Sequence, residues 1–155
     1  SFYRTKVKLA PISEVSEFMP EDYQPHGSTP LYDAMGLTLT ELEEVATDSD
    51  IVLVTIITDG YENSSRKYDV EKIRTLVSRL DEKDWVFTYI GANQDAILEA
   101  GKMGIRNAMN YNSTEAGTRE MWEREKRSRE NFMTGARRGE SVKSLKEGYF
   151  EKEEK

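Results

Sequence analysis

Apolar and polar positions alternate along the chain in a pattern that predicts strands separated by helices. The clearest strand is residues 51–58, a run of mainly β-branched and aliphatic side chains that is apolar on both faces. A second apolar run covers residues 85–91, and a weaker one covers residues 106–111. Because a strand that is apolar on both faces has to be covered on both, we predict a parallel sheet between layers of helices.

The segments between these strands show helical spacing instead. Residues 31–45 carry apolar side chains every three or four positions, and Thr29 followed by Pro30 is typical of a helix start with Thr29 as the N-cap. Residues 70–80 repeat this spacing, and residues 93–103 predict a short helix. The order of elements favours an α/β fold of the Rossmann-like, doubly wound type, with a mostly parallel sheet.

Both ends of the chain are more polar than this central part. Residues 1–10 alternate and predict a strand at or near a sheet edge. Near the other end, a helix is expected to dock on the sheet, followed by a charged and mobile tail. We therefore divide the chain into an α/β domain (1–112), a docking helix (113–138) and a tail (139–155).

Composition narrows the classes of partner. The chain has 29 acidic and 22 basic residues, and this net charge of −7 argues against nucleic acid and suits divalent cations. It has no cysteine, which excludes disulfides, zinc–thiolate sites and cysteine nucleophiles and fits a cytoplasmic protein. No apolar run reaches the length of about 18 residues that a membrane helix needs. We expect a cytoplasmic protein that binds neither nucleic acid nor membrane.

Two polar clusters fall where a parallel sheet binds its ligands, at the carboxyl ends of the strands. Asp59 directly follows the strand at residues 51–58, and Thr29 lies at the start of the first long helix. Carboxylate and hydroxyl oxygens are ligands that suit Mg²⁺ or Mn²⁺, with water molecules filling the remaining coordination positions. The simpler alternatives are an N-cap for Thr29 and an Asp-Gly turn for Asp59.

The neighbouring polar residues have simpler interpretations. Asp33 lies one helical turn from Thr29; it is interpreted as a solvated acid in the first turn of its helix, where the helix dipole favours it, with a position facing the cleft as the alternative. Glu62 and Asn63 are interpreted as loop residues, with a contact to the metal ligands as the alternative, and His26, the single histidine, as a turn residue. The basic run at residues 124–129 is interrupted by acids, so a solvated helix face is a better interpretation than a nucleic-acid stripe.

Residues 25–34 (PHGSTPLYDA) and 56–63 (IITDGYEN) resemble the second and third metal-site motifs of von Willebrand factor A domains. Residues 89–96 (YIGANQDA) also resemble the bacterial and phage-encoded stand-alone members of that family, and the likeness covers roughly residues 5–112. The resemblance implies that Thr29 is the metal-adjacent threonine and that Asp59 is the metal-site aspartate, often coordinating through water. In that family an open coordination position accepts an acidic side chain of the partner.

One part of the family pattern is missing. The first metal motif, Asp-x-Ser-x-Ser, should follow an N-terminal strand that is central in the sheet, and residues 1–28 contain neither. We therefore interpret the fold as N-terminally incomplete. The chain is a fragment, or another chain supplies the missing part, or the metal site is degenerate.

These observations predict a protein-interaction module with a metal ion adhesion site, acting as a scaffold or adaptor and not as an enzyme. One alternative is a Mg²⁺-dependent phosphoester hydrolase that holds the ion with Asp59 and Asp33. Against it, the sequence shows no general base and no glycine loop for phosphate. The other alternative is a degenerate domain that serves as a structural component of an assembly without metal.

Overall fold

Three parallel strands form the centre of the computed structural model, which describes residues 9–17, 19, 21, 27–93 and 95–150. The strands are β1 (Leu53–Thr58), β2 (Val86–Ala92) and β3 (Asn107–Tyr111). Their order in the sheet is β1-β2-β3, and both neighbouring pairs are parallel. All three strands therefore end at the same edge of the sheet, which confirms the predicted parallel arrangement.

Helices flank this sheet on both faces. They are α1 (Leu31–Glu43), α2 (Val70–Asp81), α3 (Ala96–Lys102), α4 (Glu115–Arg137) and α5 (Val142–Glu147), with a short 3₁₀ turn at Ile12–Glu14. The first three helices pack on the face that carries Ile56, Phe87 and Tyr89. The last two pack on the opposite face, against Val86 and Ile90. The structure is an α/β fold that is compatible with the Rossmann-like class.

Local sequence explains why these helices form where they do. In α2, the buried residues Ile73, Leu76, Val77 and Leu80 follow the three-and-four spacing of one helical face. Side-chain oxygens cap the N-termini of α2 and α4, since Asp69 accepts the Lys72 N–H and Thr114 accepts the Gly117 N–H.

Among the described residues, no helix combines the length and the apolar character that a bilayer-spanning helix requires.

The strands β1 and β2 are covered to different extents. Every residue of β2 is buried, because it lies between two strands and two layers of helices. The pattern of β1 also predicts cover on both faces, but β1 is one of the two outer strands of the described sheet. Ile56 packs in the core cluster with α1, whereas Ile57, on the opposite face, is 41% exposed. The helix on that face, α4, packs over β2 and β3, so β1 is covered only in part.

The C-terminal segment after α4 is packed over most of its length. Residues 139–150 carry α5 and a packed aromatic cluster, and residues 151–155 lie outside the described residues. The Tyr149 ring is buried, with its centroid 5.9 Å from that of Phe132 in α4. The few apolar side chains of this segment are sparse in sequence but meet in space: Val142, Leu145, Tyr149 and Phe150. Burying these apolar side chains together stabilises the packing of this segment against α4.

The strand predicted at residues 1–10 falls mostly outside the described part of the chain. Residues 1–8 are not among the described residues, and Leu9 and Ala10 belong to no strand. That expectation is therefore untested over residues 1–8.

Candidate metal site

The two predicted metal-site residues lie at the same edge of the sheet. Asp59 follows the carboxyl end of β1, and Thr29 lies two residues before α1. The Thr29 hydroxyl oxygen is 3.1 Å from the point where a β-carbon would lie at Gly60, the residue after Asp59. Because a side chain at position 60 would press on this hydroxyl, glycine allows the close approach.

The oxygens of these two residues are free to act as ligands. Asp59 is exposed at the end of its strand, and Thr29 is half-buried. No described residue hydrogen-bonds to the Asp59 carboxylate or to the Thr29 hydroxyl, and the hydrogen bonds that Thr29 makes with Asn63 involve only the Thr29 backbone. A carboxylate and a hydroxyl with open lone pairs fit the oxygen coordination that Mg²⁺ and Mn²⁺ prefer.

Two hydrogen bonds with Asn63 hold the backbone of Thr29 in place. The Thr29 N–H donates to Asn63 Oδ1 at 2.8 Å, and the Asn63 N–H donates to the Thr29 carbonyl at 3.2 Å. The prediction that the Thr29 side chain caps α1 is wrong, since Pro30 is the N-cap and no side chain of the cap residue takes part. Thr29 instead joins the loop between β1 and α2, which leaves its hydroxyl unused.

Glu62 supplies the cap that Thr29 does not. Its Oε2 accepts the Tyr32 N–H at 2.9 Å, and its Oε1 accepts the backbone N–H groups of Ser64 and Ser65. Burial raises the pKa of Glu62, but these hydrogen bonds outweigh it and hold the pKa below its ordinary value. Glu62 and Asn63 are loop residues, as interpreted, and their side chains also hold the start of α1. The partners on α1's side, Tyr32 and Thr29, lie about thirty positions away, so no local signal in the sequence reveals these contacts.

Asp33 faces the same loop rather than the solvent. Its carboxylate accepts three backbone N–H groups, from Arg66 at 2.9 Å and from Lys67 and Tyr68 at 2.8 Å each. Desolvation raises the pKa of Asp33, but the three backbone hydrogen bonds outweigh it and lower the pKa below its ordinary value. Asp33 is an acid in the first turn of α1, as interpreted, but both of its oxygens also accept backbone donors from the loop.

The loop and the helix start therefore hold each other reciprocally. Loop side chains accept the backbone N–H groups of Tyr32 and Asp33 in the first turn of α1, and the Asp33 carboxylate accepts backbone N–H groups of the loop. We call this arrangement the clasp, formed by Thr29, Tyr32 and Asp33 on one side and residues 62–68 on the other. It fixes Thr29 and the backbone that follows Asp59, which restrains the positions of both residues.

The residue that follows β2, Asn93, has a structural role. Asn93 follows β2 in the left-handed conformation, with φ of 50°, which asparagine tolerates better than most residues. Its side-chain oxygen accepts the Ser113 N–H at 3.1 Å, and its own N–H donates to the Tyr111 carbonyl at 3.0 Å. These bonds tie the ends of β2 and β3 together.

Within the described part of the chain, no group of three or more Asp, Glu, His or Cys residues is placed to hold a metal ion. An ion held only by Thr29 and Asp59 would keep most of its water, and His26 lies outside the described residues. Comparisons with protein-family models, with curated proteins and with solved structures gave no significant match. The assignment of this site therefore rests on its geometry and on the motifs in the sequence.

Proposed function

We propose that residues 1–112 form a von Willebrand factor A-like module that binds a partner protein through a divalent cation, Mg²⁺ or Mn²⁺, next to Thr29 and Asp59. The observation that carries the proposal is the Thr29 hydroxyl beside Gly60, with both ligand oxygens free of hydrogen bonds to described residues. The bound ion supplies positive charge at an open edge of the sheet. An acidic side chain of the partner completes its coordination.

The clasp supports a binding role over a catalytic one. A phosphoester hydrolase built on Asp59 and Asp33 needs both carboxylates at the ion, and both oxygens of Asp33 accept backbone N–H groups. A preorganised pair of ligands on a rigid backbone suits a scaffold or adaptor, because it costs little ordering when the partner binds. The net charge of −7 supports a protein partner over nucleic acid, in the cytoplasm.

A metal titration tests the site directly. Thermal unfolding is recorded with increasing Mg²⁺ or Mn²⁺, for the unaltered protein and for Asp59→Ala. At a free ion concentration about tenfold above Kd, binding stabilises the folded state by about 1.4 kcal/mol. For a chain of this size, that corresponds to a rise in Tm of about 3 to 6 °C.

Asp59→Ala should abolish the rise, because it removes the only carboxylate among the two proposed ligands. Asp48→Ala is the matched control, since this exposed acid lies in the turn after α1 and away from the clasp. It should keep the full rise. The proposed site is refuted if neither ion raises the Tm of the unaltered protein. It is also refuted if both variants lose the rise in Tm equally.

A further inference from the structure

The segment that follows α4, residues 139–150, buries few of its side chains. No residue of α5 is buried, and Tyr149 is the one buried residue between positions 139 and 150. Val142 and Leu145 are half-buried and pack against the cluster that contains Phe132. An element with so little buried apolar surface is weakly attached, and such elements open locally before the whole chain unfolds.

One polar contact, which we call the lysine latch, holds this segment to the end of α2. The Lys146 ammonium donates to the Asp81 carbonyl at 2.8 Å and lies 3.1 Å from a carboxylate oxygen of the same residue. A carboxylate oxygen of Asp84 is 3.6 Å away. The Lys146 side chain is 14% exposed, whereas both carboxylates are well exposed. All three groups therefore reach solvent when the latch breaks, and no charge is left buried there.

A second contact, the tyrosine latch, holds the segment to α4. The Tyr149 hydroxyl donates to Glu125 Oε1 at 3.1 Å, and the Tyr149 ring packs on Phe132. Glu125 is 2% exposed, and its Oε2 accepts no hydrogen bond from the described residues. A carboxylate oxygen that is buried without a donor is costly. Solvent that reaches this oxygen when the segment moves away therefore offsets part of the contacts that are lost.

Open cavities flank α5 on both sides. One of about 490 Å³ lies between α4 and α5, and Gly135 and Tyr149 are part of its lining. The other, of about 750 Å³, lies between α5 and the amino ends of β2 and β3, where Phe87 and Asn107 line it. Each cavity takes the place of contacts that a closely packed helix would make. The two latches and the half-buried apolar side chains are therefore the main attachments of the segment.

The helices on either side of the connection are complete without each other. Gly139 has a φ of 80°, and the Glu140 N–H donates to the Gly135 carbonyl at 3.1 Å, which closes the last turn of α4 with its own backbone. The start of α5 is capped separately, since Ser141 Oγ accepts the Ser144 N–H at 3.2 Å. A change of backbone angles at residues 139–141 can therefore move α5 without unwinding either helix.

The contacts of α4 with the sheet do not depend on this segment. Met121 packs with Ile90 and Met109, and Phe132 packs with Val86. These side chains belong to α4 and to the strands that it covers, so they keep α4 docked when residues 139–150 move away.

We propose that residues 139–150 form a strap that opens as a unit about residues 139–141 while α4 stays docked. Closed, the strap covers Val86, Phe132 and the Glu125 carboxylate; open, it exposes this apolar surface with its single carboxylate. The strap lies at the amino ends of the strands, whereas the proposed metal site lies at their carboxyl ends. Its opening therefore does not require a cation.

Thiol labelling measures the opening, because the chain contains no cysteine of its own. Val86→Cys places a thiol under the strap, and Ile73→Cys places one in the core between α2 and the sheet; both positions are fully buried. An excess of a maleimide is added to the folded full chain, and the reaction is followed by mass spectrometry. The thiol at position 86 should react at least about 100-fold faster than the thiol at position 73, because the strap opens without global unfolding.

Variants of the two latches identify the strap as the part that moves. Lys146→Met removes the lysine latch and Tyr149→Phe removes the hydroxyl of the tyrosine latch, each in the Val86→Cys chain. Each should raise the labelling rate at least about tenfold, which corresponds to the loss of a hydrogen bond to a charged group or of a lysine that donates one. Lys143→Met is the matched control, since this exposed lysine lies on the same helix and outside both latches. It should leave the rate unchanged.

A second measurement needs no cysteine. The Leu145 N–H donates to the Ser141 carbonyl at 3.1 Å, and its hydrogen exchange in the otherwise unaltered chain should become about tenfold faster in Lys146→Met. Exchange of the buried amides of α4 should not change.

The proposal is overturned if the thiol at position 86 reacts no faster than the thiol at position 73, since the segment would then open only when the whole chain unfolds. It is also overturned if Lys146→Met leaves both the labelling rate and the Leu145 exchange unchanged, or if Lys143→Met raises them equally. Faster exchange of α4 in Lys146→Met would overturn it as well, because α4 would then leave the sheet together with the segment.

Discussion

Replacing Glu62 with glutamine tests whether the clasp holds the start of α1. Glutamine keeps the size of the side chain, but one of its two terminal atoms becomes an NH₂ donor. Glu62 Oε1 accepts two N–H groups, and Oε2 accepts the Tyr32 N–H and the Ser65 hydroxyl at 2.7 Å. Whichever oxygen is replaced, two of these four hydrogen bonds lose their acceptor.

The expected cost follows from the number of bonds lost. A hydrogen bond of this kind contributes about 1 kcal/mol net, so Glu62→Gln should lower the free energy of unfolding by about 2 kcal/mol. With a urea m-value of about 2 kcal/mol per molar, the unfolding midpoint falls by about 1 M. Glu44→Gln, an exposed acid just after α1, is the matched control and should leave the midpoint unchanged.

The effect of Glu62→Gln should depend on pH in a defined direction. The pKa of Glu62 is lower in the folded chain than its ordinary value of 4.5, because backbone hydrogen bonds outweigh the effect of burial. The ionised carboxylate therefore stabilises the fold, fully above pH 4.5 and progressively less as the pH falls through the folded pKa. The difference between the two proteins should be largest at neutral pH and smaller near about pH 3.

Urea unfolding followed by far-ultraviolet circular dichroism at several pH values measures both effects. The clasp argument is wrong if the midpoint of Glu62→Gln equals that of the unaltered protein at neutral pH. It is also wrong if the difference in midpoint does not change with pH, since the charge of Glu62 would then play no part.

Two further substitutions test packing, each by urea unfolding. Gly36→Ala places a β-carbon against the Tyr68 ring and should cost about 1 to 3 kcal/mol, whereas Gly101→Ala, with open space in α3, should gain up to about 1 kcal/mol. Equal effects at the two glycines would contradict this. Tyr149→Phe removes the hydroxyl that donates to Glu125 at 3.1 Å and should cost about 1 to 2 kcal/mol. No loss of stability would show that this bond does not hold the C-terminal segment.

The elements of the fold could be predicted because their signals are local. The apolar run at residues 85–91 becomes the fully buried β2, and the spacing of Ile73, Val77 and Leu80 becomes the buried face of α2. A strand or helix buries its side chains with its own period, so the period is visible in the sequence. The same reasoning predicted too much cover for β1, because periodicity does not show which strand lies at the edge.

The candidate site could be predicted only in part. Thr29 and Asp59 were selected by motif and by position at a strand end and a helix start, and the structure places them at one edge of the sheet. The roles of Asp33, Glu62 and Asn63 were missed. Each of these side chains bonds to backbone groups about thirty positions away, and a side chain of that kind has no pattern of its own in the sequence.

The sequence by itself determined the α/β class and the parallel sheet, since these follow from apolar period and strand order. Only the tertiary structure decided how the loop after β1 clasps α1 and why residues 139–150 pack on α4. These features depend on contacts between residues distant in the chain, and such contacts form only when the whole chain has folded.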